Sequence, residues 1–274
     1  MRFQMISRRL LPALLALLLL GGCGMVRFET PEEQRAAEEA ARKKRQEMEE
    51  TVDLQALLTD EFCMERELLN SAGCCLAAYS VRLPRFSSDG QRAESFTRIN
   101  HYFENEFSGL KEACEGFFAD VQMLAGEEWN SITDLPPDDF SQISIDYELL
   151  DAPEGYVTVR CDYTLAENHQ KDRWSQGAVF LLDNGWELSL ETLLGAEYDN
   201  AEPLLMQGIL DWCSENAVEV SAPEGLTLTD LSQGYLLTRD ALVFYTEPFQ
   251  LNNQDGTRYA ISLPLSDYEQ YLIG

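Results

Sequence analysis

The sequence predicts an α+β fold: a mainly antiparallel sheet with one long amphipathic helix and a second, shorter helix packed on it, preceded by a helical stalk. Three observations carry that expectation. Phe96, Ile99, Phe103, Phe107, Leu110, Cys114, Phe117 and Val121 recur at steps of three and four, an apolar stripe of about seven turns. Between Ile143 and Leu190, short apolar runs alternate with turn residues, and Asn184-Gly185 is the strongest hairpin signal in the chain. Glu202 to Asn216 returns to helical spacing through Leu205, Ile209, Trp212 and Cys213 before a last group of strands.

In chain order, the first element is a targeting segment. Arg2, Arg8 and Arg9 precede an apolar run from Leu10 to Leu20, which closes on Gly21-Gly22-Cys23. Basic, apolar, then small residues before a cysteine is the order of a lipoprotein signal peptide. Leu20, Gly21 and Gly22 are the expected signal peptidase recognition residues, and Cys23 is the expected site of lipid attachment. The apolar run covers 11 residues, short of the roughly 20 that a membrane-spanning helix needs. Acyl chains on Cys23 would tether the chain stably to the membrane. The expected place is therefore the extracytoplasmic face of the cell membrane.

Residues 1–22 read as the signal peptide and 23–51 as a lipid-anchored charged stalk. Residues 52–140 read as an N-terminal module of strand plus long helix, and 141–274 as a C-terminal module. In the stalk, Glu38 with Arg42 and Glu39 with Lys43 stand at i,i+4 in the favourable order. Leu54, Leu57, Leu58 and Phe62 then have helical spacing, so a helix is expected over Val52 to Leu69. Cys74 to Phe86 reads as a strand stopping at Pro84, with a turn at Ser87-Ser88-Asp89-Gly90. A break follows the long helix at Asp134 to Asp139. Strands are expected at Ile143–Leu150, Tyr156–Leu165, Gly177–Leu182 and Trp186–Leu190. The last strand group is Tyr235–Leu237, Leu242–Tyr245, Phe249–Leu251 and Arg258–Leu263, with a short helix after Pro264.

Charge bounds the partners. The formal net charge is −28, and after Gly22 there remain 17 basic against 48 acidic residues. A surface this acidic repels nucleic acid and anionic polymers and favours a cationic envelope or host protein, a basic peptide or divalent ions. With Cys23 acylated, Cys63, Cys74, Cys75, Cys114, Cys161 and Cys213 remain. An even count in an exported domain permits bridges. Cys114, Cys161 and Cys213 nevertheless fall at apolar positions, so buried thiols are expected and no pairing follows from spacing.

No metal or cofactor site is expected, since no zinc-ligand spacing, GxSxG, HExxH, P-loop or GxGxxG occurs. His101 sits off the apolar stripe and reads as a surface residue. Glu167, His169 and Asp172 fall together in a candidate polar loop. They are the one place where acid–base chemistry is weighed.

The tail Leu237-Thr238-Arg239-Asp240-Ala241-Leu242-Val243-Phe244-Tyr245, followed by Gly256 and Ile261-Ser262-Leu263-Pro264-Leu265, resembles a module of unknown function. That module occurs in RsiV-like anti-sigma factors, of which RsiV is a lysozyme receptor, and beside the catalytic domain of PdaC-like peptidoglycan deacetylases. Val81 to Phe107 is similar to the partner module preceding it, and Glu187 to Leu194 to a segment between them. Asn252-Asn253-Gln254-Asp255 departs from the family's proline-tyrosine-alanine turn, and the stretch at Glu167 to Asp172 lacks the family's glycines. The deacetylase metal set is absent, since Asp138-Asp139 has no matching histidine pair. The resemblance implies extracytoplasmic partner binding, with a cationic protein such as lysozyme as the expected partner. The alternative expectation is a peptidoglycan-associated hydrolase or deacetylase with an unrecognised site.

Overall fold

The computed structural model describes residues 53–90, 92–126, 132, 140–167, 170–231, 234–252 and 254–273. The leader, Leu20 to Cys23, the stalk, the break at 134–139 and His169 lie outside the described residues. The fold is α+β: one five-stranded sheet and one three-stranded sheet, each with its strands side by side in chain order. All neighbouring strands are antiparallel except the second and third of the larger sheet.

The start of the folded body differs from the expected helix over Val52 to Leu69. Helix α1 is only Leu54–Leu57, with the Asp53 carboxylate accepting from the N–H groups of Gln55 and Ala56 at 3.1 Å. Strand β1 then runs Leu58–Leu69 and pairs with β2, Cys75–Phe86, from Leu58↔Phe86 to Leu69↔Cys75. Phe62, Met64 and Leu68 fall at period two and pack against the sheet's core. The long ladder together with that burial outweighs the helical spacing of Leu54, Leu57, Leu58 and Phe62. Strand β2 also continues through Pro84. Its partner β3, Ser141–Leu150, pairs only with Ala77 to Val81, so the far end of β2 has a ladder on one side alone and tolerates proline.

Helix α2, Ala93–Ala125, has 33 residues and spans about 50 Å. It crosses from β2 to the parallel β3, a connection that needs this kind of length. Its stripe is buried at Phe96, Ile99, Phe103, Cys114 and Phe118, with Phe107, Leu110, Phe117 and Val121 half-buried. The start of α2 is tied down on two sides. Asn100 brackets the backbone N–H and C=O of Phe86 at 2.8 Å each. Ser95 donates to the Leu182 carbonyl at 2.6 Å and Arg98 to the Asn184 carbonyl at 2.9 Å. The Asn184-Gly185 turn lies so close beneath that a Cβ on Gly185 would stand 2.9 Å from the Ser95 carbonyl carbon, and its φ is +71°.

Strands β4, Tyr156–Glu167, and β5, Gln170–Leu181, pair without interruption from Tyr156↔Leu181 to Glu167↔Gln170. The strand expected from Gly177 thus starts seven residues earlier. Lys171, Asp172 and Arg173 are strand residues at an exposed sheet edge, where burial imposes no apolar pattern. Beyond the turn, the expected strand Trp186–Leu190 reduces to one bridge, Phe180↔Glu187. Leu188 and Leu190 are drawn into the core, and Ser189 caps α3, Leu190–Leu194.

The pairs along β4 and β5 serve two cores in alternation. Val157 with Phe180 and Val159 with Ala178 face α2. Tyr156 and Val179 face the second core, built with α3, α4 (Tyr198–Glu215), α5 (Leu228–Leu231), β6 (Tyr235–Leu237), β7 (Ala241–Tyr245) and β8 (Ala260–Pro264). In α4, Ala201, Leu205, Ile209 and Cys213 are buried at helical spacing. The five-stranded sheet draws strands from both sides of residue 140. The strand expected at Phe249–Leu251 is instead a turn with Phe249 at φ +63°, outside the range of any strand.

Candidate functional site

Two clefts are lined by the middle of β5. The larger, about 240 Å³, lies between Arg173–Gln176 of β5 and the β7–β8 region. Of the candidate polar loop, Asp172 reaches this cleft through Arg258, which lines it. Glu167 is the last residue of β4, opposite Gln170, and Asp172 lies within β5 opposite Leu165. The Asp172 carboxylate is ion-paired with Arg258, whose second carboxylate partner is Glu247 at 3.5 Å. The Arg258 guanidinium lies 5.2 Å from the Trp174 ring centre, and Trp174 stacks on Tyr163 at 5.1 Å and 6°. Asp172 is thus committed to a bridge between the sheets, reinforced by ring stacking. His101 is exposed on α2, 3.7 Å from Glu104.

The second cleft, about 130 Å³, opens between α2 and the β4–β5 face. Tyr102, Phe103, Glu106 and Leu110 come from α2, Cys161 and Tyr163 from β4, Ala178 from β5, and Glu187 from just past the turn. Glu106 and Glu187 are both reachable by solvent. Protein packed around Glu106 pushes its carboxyl above the usual carboxylate range. Glu187 is raised for the same reason and further by the negative charge of Glu106, with the Tyr102 hydroxyl opposing the shift. Burial also raises the Tyr102 and Tyr163 hydroxyls. No ion pair among the described residues reaches Glu106 or Glu187.

The sequence reading missed both carboxylates. Glu106 stands four residues after Tyr102 and three after Phe103, at the border of the aromatic stripe. Glu187 follows the Asn184-Gly185 turn by two residues, and the hairpin is what carries it under α2. Those two local signals mark each residue's position but not that the two meet.

The six described cysteines are free thiols, with Cys114, Cys161 and Cys213 buried as expected. Burial pushes the Cys114 thiol up to about 11 and the Cys161 thiol up to about 12. Both shifts favour the neutral thiol over the thiolate. Among the described residues, no group of three or more histidine, cysteine, aspartate and glutamate side chains is arranged to hold a metal ion.

Comparison with known proteins gives the fold a precedent. A DUF3298 family member from Bacteroides fragilis superposes with a TM-score of 0.52 at 13% identity, over 80% of this chain and 94% of its own. A DUF3298 family protein from Pseudomonas aeruginosa gives 0.51 at 12% identity, over 79% and 94%. At such identities the likeness is one of fold. No protein-family profile and no curated protein matches the sequence.

Proposed function

We propose that this chain is a lipid-anchored, extracytoplasmic binding protein of the bacterial cell envelope, without chemistry of its own, whose partner is a cationic protein. The observation that carries the reading is charge. After Thr51 there are 40 acidic and 11 basic residues. Six of those basic residues, Arg66, Arg82, Arg98, Arg160, Arg239 and Arg258, already carry a carboxylate. The folded body thus presents unbalanced negative charge, which steers a positive partner and repels polyanions. The Leu20-Gly21-Gly22-Cys23 ending supports the anchor. The similarity of residues 237–265 to the RsiV-like module supports an extracellular protein partner, lysozyme being the representative one.

The test is calorimetric titration of the full chain, solubilised in detergent, with a lysozyme. Binding is expected at low ionic strength and is expected to weaken by about tenfold or more as salt screens the exposed charges between low and physiological ionic strength. Absence of binding, or affinity indifferent to salt, removes the cationic partner. Release of product from muropeptides by the purified chain removes the non-catalytic reading.

A further inference from the structure

We propose that the cleft between α2 and the β4–β5 face is a binding site for a primary ammonium group on a short alkyl stem, presented by a lysine side chain of the partner. The proposal deepens the cationic-partner reading, naming where one of the partner's charges would be held.

The geometry carries it in four steps. First, Glu106 and Glu187, from an α-helix and from the segment after a hairpin turn, converge on one cleft while remaining open to solvent. Second, no cation among the described residues pairs with either carboxylate, and Glu187 has only the Tyr102 hydroxyl. Where a rim carboxylate of α2 has a structural task, it shows a partner, as Glu115 does with Arg66 at 2.7 Å and the Tyr79 hydroxyl at 3.0 Å. Glu106 has neither an ion pair nor a hydrogen bond among the described residues. Third, the walls are rings: Tyr102, Phe103 and Tyr163 line the cleft, and an aromatic ring attracts an ammonium group and accepts its alkyl stem. Fourth, the lining includes Cys161, only 8% exposed and without a hydrogen bond among the described residues, so its sulfur adds a weak acceptor on an otherwise apolar floor.

Size and ligand count select the ammonium group over its rivals. A space of about 130 Å³ is roughly that of four waters, enough for an amine and a few methylenes but small for a sugar ring. A calcium ion takes six to eight oxygen ligands, and the described residues offer no such cluster. An ammonium group needs three acceptors at most. Bringing it between Glu106 and Glu187 also relieves the mutual repulsion that the pair otherwise bears.

The test uses the full chain in detergent and three probes at neutral pH: Nα-acetyl-lysine amide, n-butylammonium and the uncharged n-butanol. The lysine amide is expected to bind at one site, and n-butanol not to bind. The Glu106→Gln/Glu187→Gln double variant should bind the lysine amide about tenfold more weakly, while Glu224→Gln, an exposed acid elsewhere, should leave it unchanged. Tighter binding of the lysine amide than of n-butylammonium supports a partner's side chain as the source. The reverse order overturns that source in favour of a free amine. Equal binding of n-butanol and n-butylammonium overturns the site, and that comparison needs no variant. Wild-type affinity in the folded double variant overturns it as well. If lysozyme still binds in a salt-dependent way when the amines do not, the cleft fails and the charge reading stands. If the amines bind and lysozyme does not, the cleft stands without that partner.

Discussion

Phe180→Ala is expected to be among the most destabilising single substitutions in the folded body, at about 3–5 kcal/mol. Phe180 is fully buried beneath α2 on β5, the edge strand of the five-stranded sheet, and pairs with Val157. Its ring meets Tyr102 edge-on at 5.1 Å and lies 5.7 Å from Phe103. Truncation removes the transfer energy of a whole ring and leaves a void under α2 that β4 and β5, fixed by their continuous ladder, cannot close. For a body of this size each kcal/mol moves the melting temperature by about 2–4 °C, so thermal unfolding should shift down by on the order of 10 °C. Because Tyr102 and Phe103 also wall the α2 cleft, amine binding should weaken in the same variant. A midpoint within a degree or two of wild type contradicts the assignment of Phe180 to the core.

Gly177→Val is expected to have a comparable effect by the opposite route. Gly177 is where β5 passes against β6, and a Cβ there would stand 2.7 Å from Leu236 Cγ and overlap the Tyr235 carbonyl oxygen. The obstacle is partly backbone, so a side-chain rotation cannot relieve it. The two sheets must separate, loosening Tyr235, whose hydroxyl donates to the Leu188 carbonyl at 2.7 Å. Overpacking of this kind costs about 1–3 kcal/mol, and more where the backbone must shift. Gly177→Ala should lie between wild type and valine in denaturant unfolding. An alanine variant as stable as wild type would show that the sheets do not close at this point.

What the sequence disclosed and what it concealed follow one physical line. Helix α2 was legible because its stripe of Phe96, Ile99 and Phe103 is buried on one side only, and the Asn184-Gly185 turn because its backbone conformation restricts the residues that fit. Strand β1 was not, because Leu54, Leu57, Leu58 and Phe62 satisfy a helical period locally while pairing with β2 decides the outcome. The first half of β5 escaped notice for a related reason: Lys171, Asp172 and Arg173 are exposed polar residues on a sheet edge, where the backbone ladder to β4 and the distant partner Arg258 of Asp172 leave no apolar pattern. Phe249 occupies a left-handed conformation that its residue type argues against.

The candidate site was less legible than the fold. Asp172 attracted attention as part of a polar stretch, yet its carboxylate is taken up by Arg258, 86 residues away in the chain. Glu106 and Glu187 looked like two of 48 acidic residues. Their positions beside the aromatic stripe and just after the Asn184-Gly185 turn mark them out only once α2 is packed over the β4–β5 face, which places them together with no described arginine paired to either.

The account depends most on the chain being held outside the cell through Cys23, since the acidic body acquires its proposed partners only there. Intact-mass and peptide mass spectrometry of the membrane-extracted protein tests this directly. The account predicts a chain beginning at Cys23 and carrying a diacylglycerol-sized addition on that residue, with Cys23→Ala lost from the membrane fraction. An unmodified Cys23, or a Cys23→Ala variant retained in the membrane at wild-type yield, would contradict it.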